Sequence, residues 1–262
     1  MYDFEYTRPR TLADAKAALS TEDAHLLAGG QTLLTTMKQR LSAPAKLVSL
    51  GAMDELQGVS FDGSVLRVGA TTLHAVVARE AASTFPALAS LAARIGDPAV
   101  RNRGTIGGSL ANNDPAACYP SAVLATGATI VTDQRSIPAE SFFEGLFSTA
   151  LEEGEIITSV EFPVPIKASY QKFLQPASRF AMVGVFVARY SDKVGVAVTG
   201  VSEDGVFRWD AAEAALSNSF STGALDGVAL GVDSALSDIH ANAEYRAHMV
   251  GVLTRRAVEE LS

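Results

Sequence analysis

Arg101-Asn102-Arg103-Gly104-Thr105-Ile106-Gly107-Gly108-Ser109-Leu110-Ala111-Asn112 is the stretch on which the reading of this chain turns. A second stretch follows a similar plan: Leu26-Leu27-Ala28-Gly29-Gly30-Gln31-Thr32-Leu33. In each, an apolar strand is expected to run into a double glycine, then a polar residue, then leucine. Paired glycines let the backbone adopt positive φ and meet a ligand with no Cβ in the way. Consecutive amides in such turns converge into an anion-binding nest. Two nests brought together would hold a diphosphate. The same residues would also serve two ordinary strand-to-helix turns, and the pattern alone leaves both readings open.

Composition narrows what such a pair of nests would do. The chain has 262 residues, 48% of them hydrophobic, and a formal net charge of −8. That length buries roughly 70–75% of the unfolded surface, as one large domain or two modest ones. An acidic chain is not suited to a nucleic-acid backbone. Any polyanion must be held by local dipoles and a few placed cations. The single cysteine, Cys118, excludes a disulfide framework, a zinc site or an iron–sulfur cluster within this chain. His25, His74, His240 and His248 are scattered and read as structural or surface residues, so no metal ligands are expected. The opening MYDFEYTRPR has no apolar core and does not read as a signal peptide. No apolar run approaches the ~20 residues that cross a bilayer. A soluble, cytoplasmic protein is expected.

Working outward, residues 1–55 read as a small α/β unit. Tyr6-Thr7-Arg8-Pro9 is extended, because proline pushes its predecessor out of the helical region. Thr11 caps a helix over 12–19. Strands are expected at 25–28 and 47–50, with a helix at 33–41 between them. Over 56–165, strands are expected at 65–70, 128–132 and 156–162, and helices at 73–80 and 87–95. Pro163 and Pro165 mark a boundary. Beyond it, 181–190 and 193–201 form a valine-rich hairpin turning at Ser191-Asp192, with a third strand at 206–209. The remainder reads as helical, with Tyr245, Met249, Leu253 and Ala257 forming a core-facing stripe.

The usual nucleotide motifs are absent. There is no G-x-G-x-x-G after a strand and no G-x-x-x-x-G-K-[ST], so a Rossmann NAD site and a P-loop are not expected. No G-x-S-x-G elbow is present. Cys118 has no histidine near it in sequence and reads as a buried structural thiol. No catalytic acid, base or nucleophile is expected.

At these segments the sequence resembles the FAD-binding medium subunit of molybdenum hydroxylases, the xanthine dehydrogenase and carbon monoxide dehydrogenase family. The matching stretches are Tyr6-Thr7-Arg8-Pro9, AGGQTLLTTMKQRL at 28–41 and IGDPAVRNRGTIGGSLANNDPAACYP at 95–120. They continue with GEIITSVEFPVP at 154–165, YQKFLQPASRFAMVGV at 170–185 and YRAHMVGVLTRRAVEEL at 245–261. The resemblance covers essentially the whole chain in order.

It implies an α+β, PCMH/VAO-type FAD-binding fold. Two α/β subdomains at about 1–55 and 56–165 make an FAD-binding domain, and residues 166–262 a C-terminal domain of antiparallel strands and helices. It implies non-covalent FAD, held by Ala28, Gly29, Gly30, Gln31 and Thr32 in one loop and by Thr105, Ile106, Gly107, Gly108 and Ser109 in the other. Asn112 and Asp114 would lie near the cofactor. Lys172 would stand at the flavin's pyrimidine end, where a cation stabilises reduced, anionic flavin, and Phe180 beside the ring.

Relatives carry [2Fe–2S] clusters in a small subunit and a molybdopterin cofactor in a large one, assembled as a dimer of heterotrimers. The implied function is electron transfer from those clusters through FAD to an external acceptor. The organic substrate is chosen in the molybdenum subunit. Cys118 departs from the acidic residue of many relatives, and Arg179 from the aspartate of some. Arg101 and Arg103 read either as solvated charges or as contacts to cofactor or partner. The competing readings are a stand-alone flavin reductase on this fold and a non-catalytic nucleotide-binding or assembly protein.

Overall fold

The computed structural model describes residues 1–232 and 235–262. Element numbers follow the chain. The first unit alternates β1 (Glu5–Thr7), α1 (Leu12–Leu19), β2 (Ala24–Leu27), α2 (Leu33–Lys38) and β3 (Lys46–Ser49). Its three strands are parallel in the order β1-β3-β2. Thr11 caps α1 as expected, its Oγ1 accepting from the Asp14 amide at 3.1 Å. Helix α2 stops at Lys38, three residues short of the expected end. Arg40 turns left-handed there, at φ 62°, and the Leu41 amide folds back onto the Thr36 carbonyl.

The second unit is built on β4 (Val59–Phe61), β5 (Val65–Gly69), β6 (Thr129–Thr132) and β7 (Ser136–Pro138), with a small hairpin of β8 (Phe143–Gly145) and β9 (Ser148–Thr149), and then β10 (Ile157–Pro163). Strands β4-β5-β10-β6-β7 make one antiparallel sheet. Between β5 and β6 run α3 (His74–Glu80), α4 (Pro86–Ala93), α5 (Pro98–Arg101), α6 (Ile106–Asn112) and α7 (Tyr119–Thr126). All eight residues of α7 are buried, because it also packs against the last sheet.

That sheet is β11 (Lys167–Leu174), β12 (Ala181–Arg189), β13 (Val194–Ser202) and β14 (Gly205–Arg208), antiparallel in sequence order. Alternation explains the valine-rich hairpin. Val183, Val185 and Val187 face a core shared with α8 (Asp210–Asn218) and α9 (Ala243–Leu261). Phe186 and Ala188 on the other face join the core of the second unit, with Phe85 and Phe162. A sheet buried on both faces reads as a continuous apolar run.

Two expectations need correction. The remainder after 209 is not all helical. Between α8 and α9 the described chain is irregular, apart from one short 3-10 turn at Thr222–Leu225, and 233–234 lie outside the described residues. Its carbonyls are met by α9 instead: Arg255 donates to Thr222 O and Leu225 O at 2.8 and 2.7 Å. In the α9 stripe, Met249, Leu253 and Ala257 are buried, but Tyr245 is 44% exposed and packs edge-on to Phe173.

Candidate functional site

The three units meet at a cleft of about 730 Å³, within the ~300–1,000 Å³ of small-molecule and cofactor sites. The first loop, the second loop, Asn112, Asp114, Lys172 and Phe180 all contribute to its wall. Ile106 does not. Its side chain is fully buried in the second unit's core, and only its neighbours reach the cleft.

The loops touch directly. A Cβ on Gly29 would stand 2.1 Å from the Arg103 carbonyl oxygen. The segment after β5 is stitched to the second loop: His74 N donates to Gly104 O at 3.0 Å, and Gly107 N to Ala70 O at 2.8 Å. A Cβ on Gly107 would meet Ala70 at 2.7 Å.

The two double glycines do different jobs, which corrects the expectation of two equivalent nests. Gly30 is left-handed at φ +71°, and the amides of Gly29, Gly30, Gln31 and Thr32 donate to no other described residue. This loop keeps its donors for a ligand. Gly107 and Gly108 sit inside the first turn of α6, outside the positive-φ set, and no strand leads into them. Their amides are already used: Gly107 N on Ala70 O, and Gly108 N on Thr105 Oγ1 at 3.2 Å. The second loop supplies shape. A Cβ on Gly108 would meet only Thr105 Oγ1 at 2.9 Å and Ala28 Cβ at 3.7 Å, bridging the slot between the loops. One loop with free amides beside one that presents a glycine without a side chain suits a bound diphosphate, because oxygens can reach backbone there.

The far wall is polar and ordered. Lys172 Nζ donates to Arg94 O at 3.0 Å and lies 3.3 Å from Cys118 Sγ. Arg94 lies over the Tyr170 ring, 4.8 Å from its centroid, and donates to the Tyr170 carbonyl. Cys118 is buried as expected, yet it reaches the cleft. Phe180, 56% exposed, ends the tight turn between β11 and β12. Gln175 Oε1 accepts from the amides of Ala177 and Ser178 and holds that turn together. Glu155 also lines the cleft. Its hydrogen bonds from Arg135 hold the carboxyl down at about 2. Arg101 is half-buried, and its Nη1 donates to Ile95 O and Gly96 O at 3.1 and 2.9 Å. Arg103 is exposed.

His74 is the residue that sequence reasoning missed. It opens α3, is 4% exposed, and lies against Tyr119 with ring centroids 5.3 Å apart and planes tilted by 53°. Its position at a strand-to-helix junction was a signal, but the contact with Gly104 lies 30 residues on. Burial, then the Arg101 charge, pushes its pKa down from 6.5 to about 4. Between pH 6.5 and 4 the unfolded chain binds the proton and the folded chain does not, so stability rises with pH. The unliganded chain should be fully supported by this group above pH 6.5. It should lose about 3 kcal/mol between pH 6.5 and 4, from a shift of roughly 2.5 units at 1.36 kcal/mol each. Urea melts at stepped pH read this, and His74→Phe should flatten the curve in that window.

Comparison with known proteins shows the family. Residues 2–165 match the family model for the FAD binding domain in molybdopterin dehydrogenase. The carbon monoxide dehydrogenase medium chain of Afipia carboxidovorans is 33% identical, over 98% of this chain and 96% of its own. The nicotine 6-hydroxylase medium subunit of Paenarthrobacter nicotinovorans is 34% identical, over 97% and 96%. Among solved structures, reconstituted CO dehydrogenase from Oligotropha carboxidovorans superposes with a TM-score of 0.90 at 31% identity, over 98% and 97%. Quinoline 2-oxidoreductase from Pseudomonas putida 86 gives 0.88 at 29%, over 99% and 96%. The chain belongs to the family of FAD-binding domains of the molybdopterin dehydrogenases.

Proposed function

We propose that this chain is the FAD-carrying electron-relay subunit of a heteromeric molybdenum hydroxylase. The observation that carries the reading is the pairing of the free amides at 29–32 with the side-chain-free, exposed Gly108, which faces Ala28 across one cleft. Gly29 to Thr32 would receive the diphosphate and Thr105 to Ser109 would close over it. Asn112 and Asp114 would lie along the cofactor, and Lys172 and Phe180 at its ring. Bound FAD accepts electrons from one donor and yields them to another, chemistry that no amino-acid side chain here provides. Lys172, fixed by Arg94 O, would supply positive charge where the reduced ring gathers negative charge. Phe180 would shield that ring from water.

The relatives are named as medium chains and subunits, which supports assembly with a small and a large partner. We assign these as an iron–sulfur subunit with [2Fe–2S] clusters and a molybdopterin subunit, in a dimer of heterotrimers. We place the complex in the cytoplasm. Among the described residues no helix is long and apolar enough to cross a membrane. The division into 1–165, with subdomains at about 1–55 and 56–165, and 166–262 is part of the same reading.

The test begins with the purified chain. Acid precipitation should release FAD into the supernatant, identified by chromatography. Flavin retained in the pellet, or FMN released, contradicts the reading. Lys172→Met should keep the cofactor and lower its reduction potential. Losing about 1.4 kcal/mol of charge stabilisation corresponds to roughly 30 mV for a two-electron couple. An unchanged potential places Lys172 away from the ring.

A further inference from the structure

His74 carries two ring nitrogens in different surroundings. Nδ1 is sealed and has no hydrogen-bond partner. Nε2 is not among the sealed, unpartnered atoms and has no hydrogen bond within the protein. It lies over Gly104, where a Cβ would stand 2.5 Å away, and the ring lines the cleft. A neutral imidazole has one N–H. Placed on Nδ1, that proton would be a buried donor with nothing to receive it, an arrangement native proteins rarely keep. Placed on Nε2, it faces the cleft and leaves Nδ1 with only an unused lone pair. The sealed atom therefore selects the tautomer.

We propose that His74 presents its Nε2–H as a hydrogen-bond donor to an acceptor oxygen or nitrogen of bound FAD. The inference rests on the FAD reading above. It assigns a cofactor contact outside both glycine loops. It also explains Gly104, because any side chain there would collide with the imidazole. Burial and the neighbouring Arg101 keep the ring neutral at physiological pH. His74 thus donates without adding to the positive charge of Arg101 and Lys172.

The experiment is nitrogen NMR of the full chain labelled with ¹⁵N-histidine, with the His74 signals assigned by their loss in His74→Gln. The cofactor-free chain should show the Nε2–H tautomer. Saturating FAD should move the Nε2 resonance, and riboflavin and ADP, added separately, show which half of the cofactor receives the bond. A shift with either supports the proposal. An Nδ1–H tautomer, or an Nε2 resonance unmoved while FAD is bound, overturns the proposal and leaves the FAD reading standing. A chain that takes up no FAD overturns both. In parallel, His74→Phe keeps a ring on Tyr119 and removes the donor. The FAD dissociation constant should rise roughly 3- to 10-fold, the worth of one hydrogen bond. His74→Gln, whose amide nitrogen has the same reach, should recover most of it. An unchanged constant in His74→Phe counts against the donor.

Discussion

Gly108→Val should leave the chain folded and weaken FAD binding by about 100-fold or more, near 2.7 kcal/mol. Gly108 is exposed to the cleft, and the only atoms near its Cβ position are Thr105 Oγ1 at 2.9 Å and Ala28 Cβ at 3.7 Å. A valine there closes the slot between the loops while its backbone stays helical. Helix propensity offers no objection, since valine is slightly better than glycine inside a helix. The neighbouring glycines give the contrast. Gly107→Val drives a Cβ into Ala70 and its carbonyl, and Gly29→Val into the backbone of Arg103. Both should lose the fold along with the cofactor. Gly30→Val is penalised twice, by φ +71° and by Leu34 at 2.7 Å. Fluorescence titration with FAD, beside a thermal melt of each variant, separates the cases. Wild-type affinity in Gly108→Val would mean that the second loop is only a turn.

That contrast also shows where sequence reading stops. Both double glycines have the composition of a nest, and both lie at the cleft. What differs is where the following helix begins. The first pair precedes α2 and stays in a loop, so its amides remain free. The second pair follows Thr105, which caps α6 with its own hydroxyl, so the helix takes its amides. A cap at Thr105 was readable from residue type alone, and weighing it would have separated the two.

Period-2 patterning placed β12 and β13 within a residue or two, because their alternate valines face one core. The same logic gave little warning of β11, whose Lys167, Gln171 and Lys172 break the apolar pattern while pairing fully with β12. The contacts that build the far wall are non-local: Lys172 with Cys118 across 54 residues, Lys172 with the Arg94 carbonyl across 78. No local pattern reports these. The resemblance points to Lys172 and Phe180 but not to His74, whose surroundings are made by Gly104, Arg101 and Tyr119 together.

The isolated chain should show no substrate-driven reduction of its FAD, with aldehydes or with N-heterocycles. The whole sequence has one cysteine, whereas a [2Fe–2S] cluster takes four protein ligands. Among the described residues no group of three histidine, cysteine or acidic side chains is placed to hold a metal. On the relay reading the electrons would come to the flavin from clusters held by a partner, not from an organic substrate bound in this chain. Reduced chemically, it should still hand electrons to a dye, because that needs only the cleft. Co-expression with the genes beside it should give a complex containing iron, sulfide and molybdenum, and only that complex should bleach the flavin band when substrate is mixed in. Arg103 offers a handle on the contact, being exposed and charged beside the second loop, whereas Arg101 is committed to the cleft wall. Arg103→Glu should weaken assembly and leave FAD in place, while Arg101→Glu should loosen FAD first. Stopped-flow absorbance with and without the partners measures the main effect. Rapid bleaching by substrate in the purified chain alone would replace the relay by a flavin reductase that acts on its own.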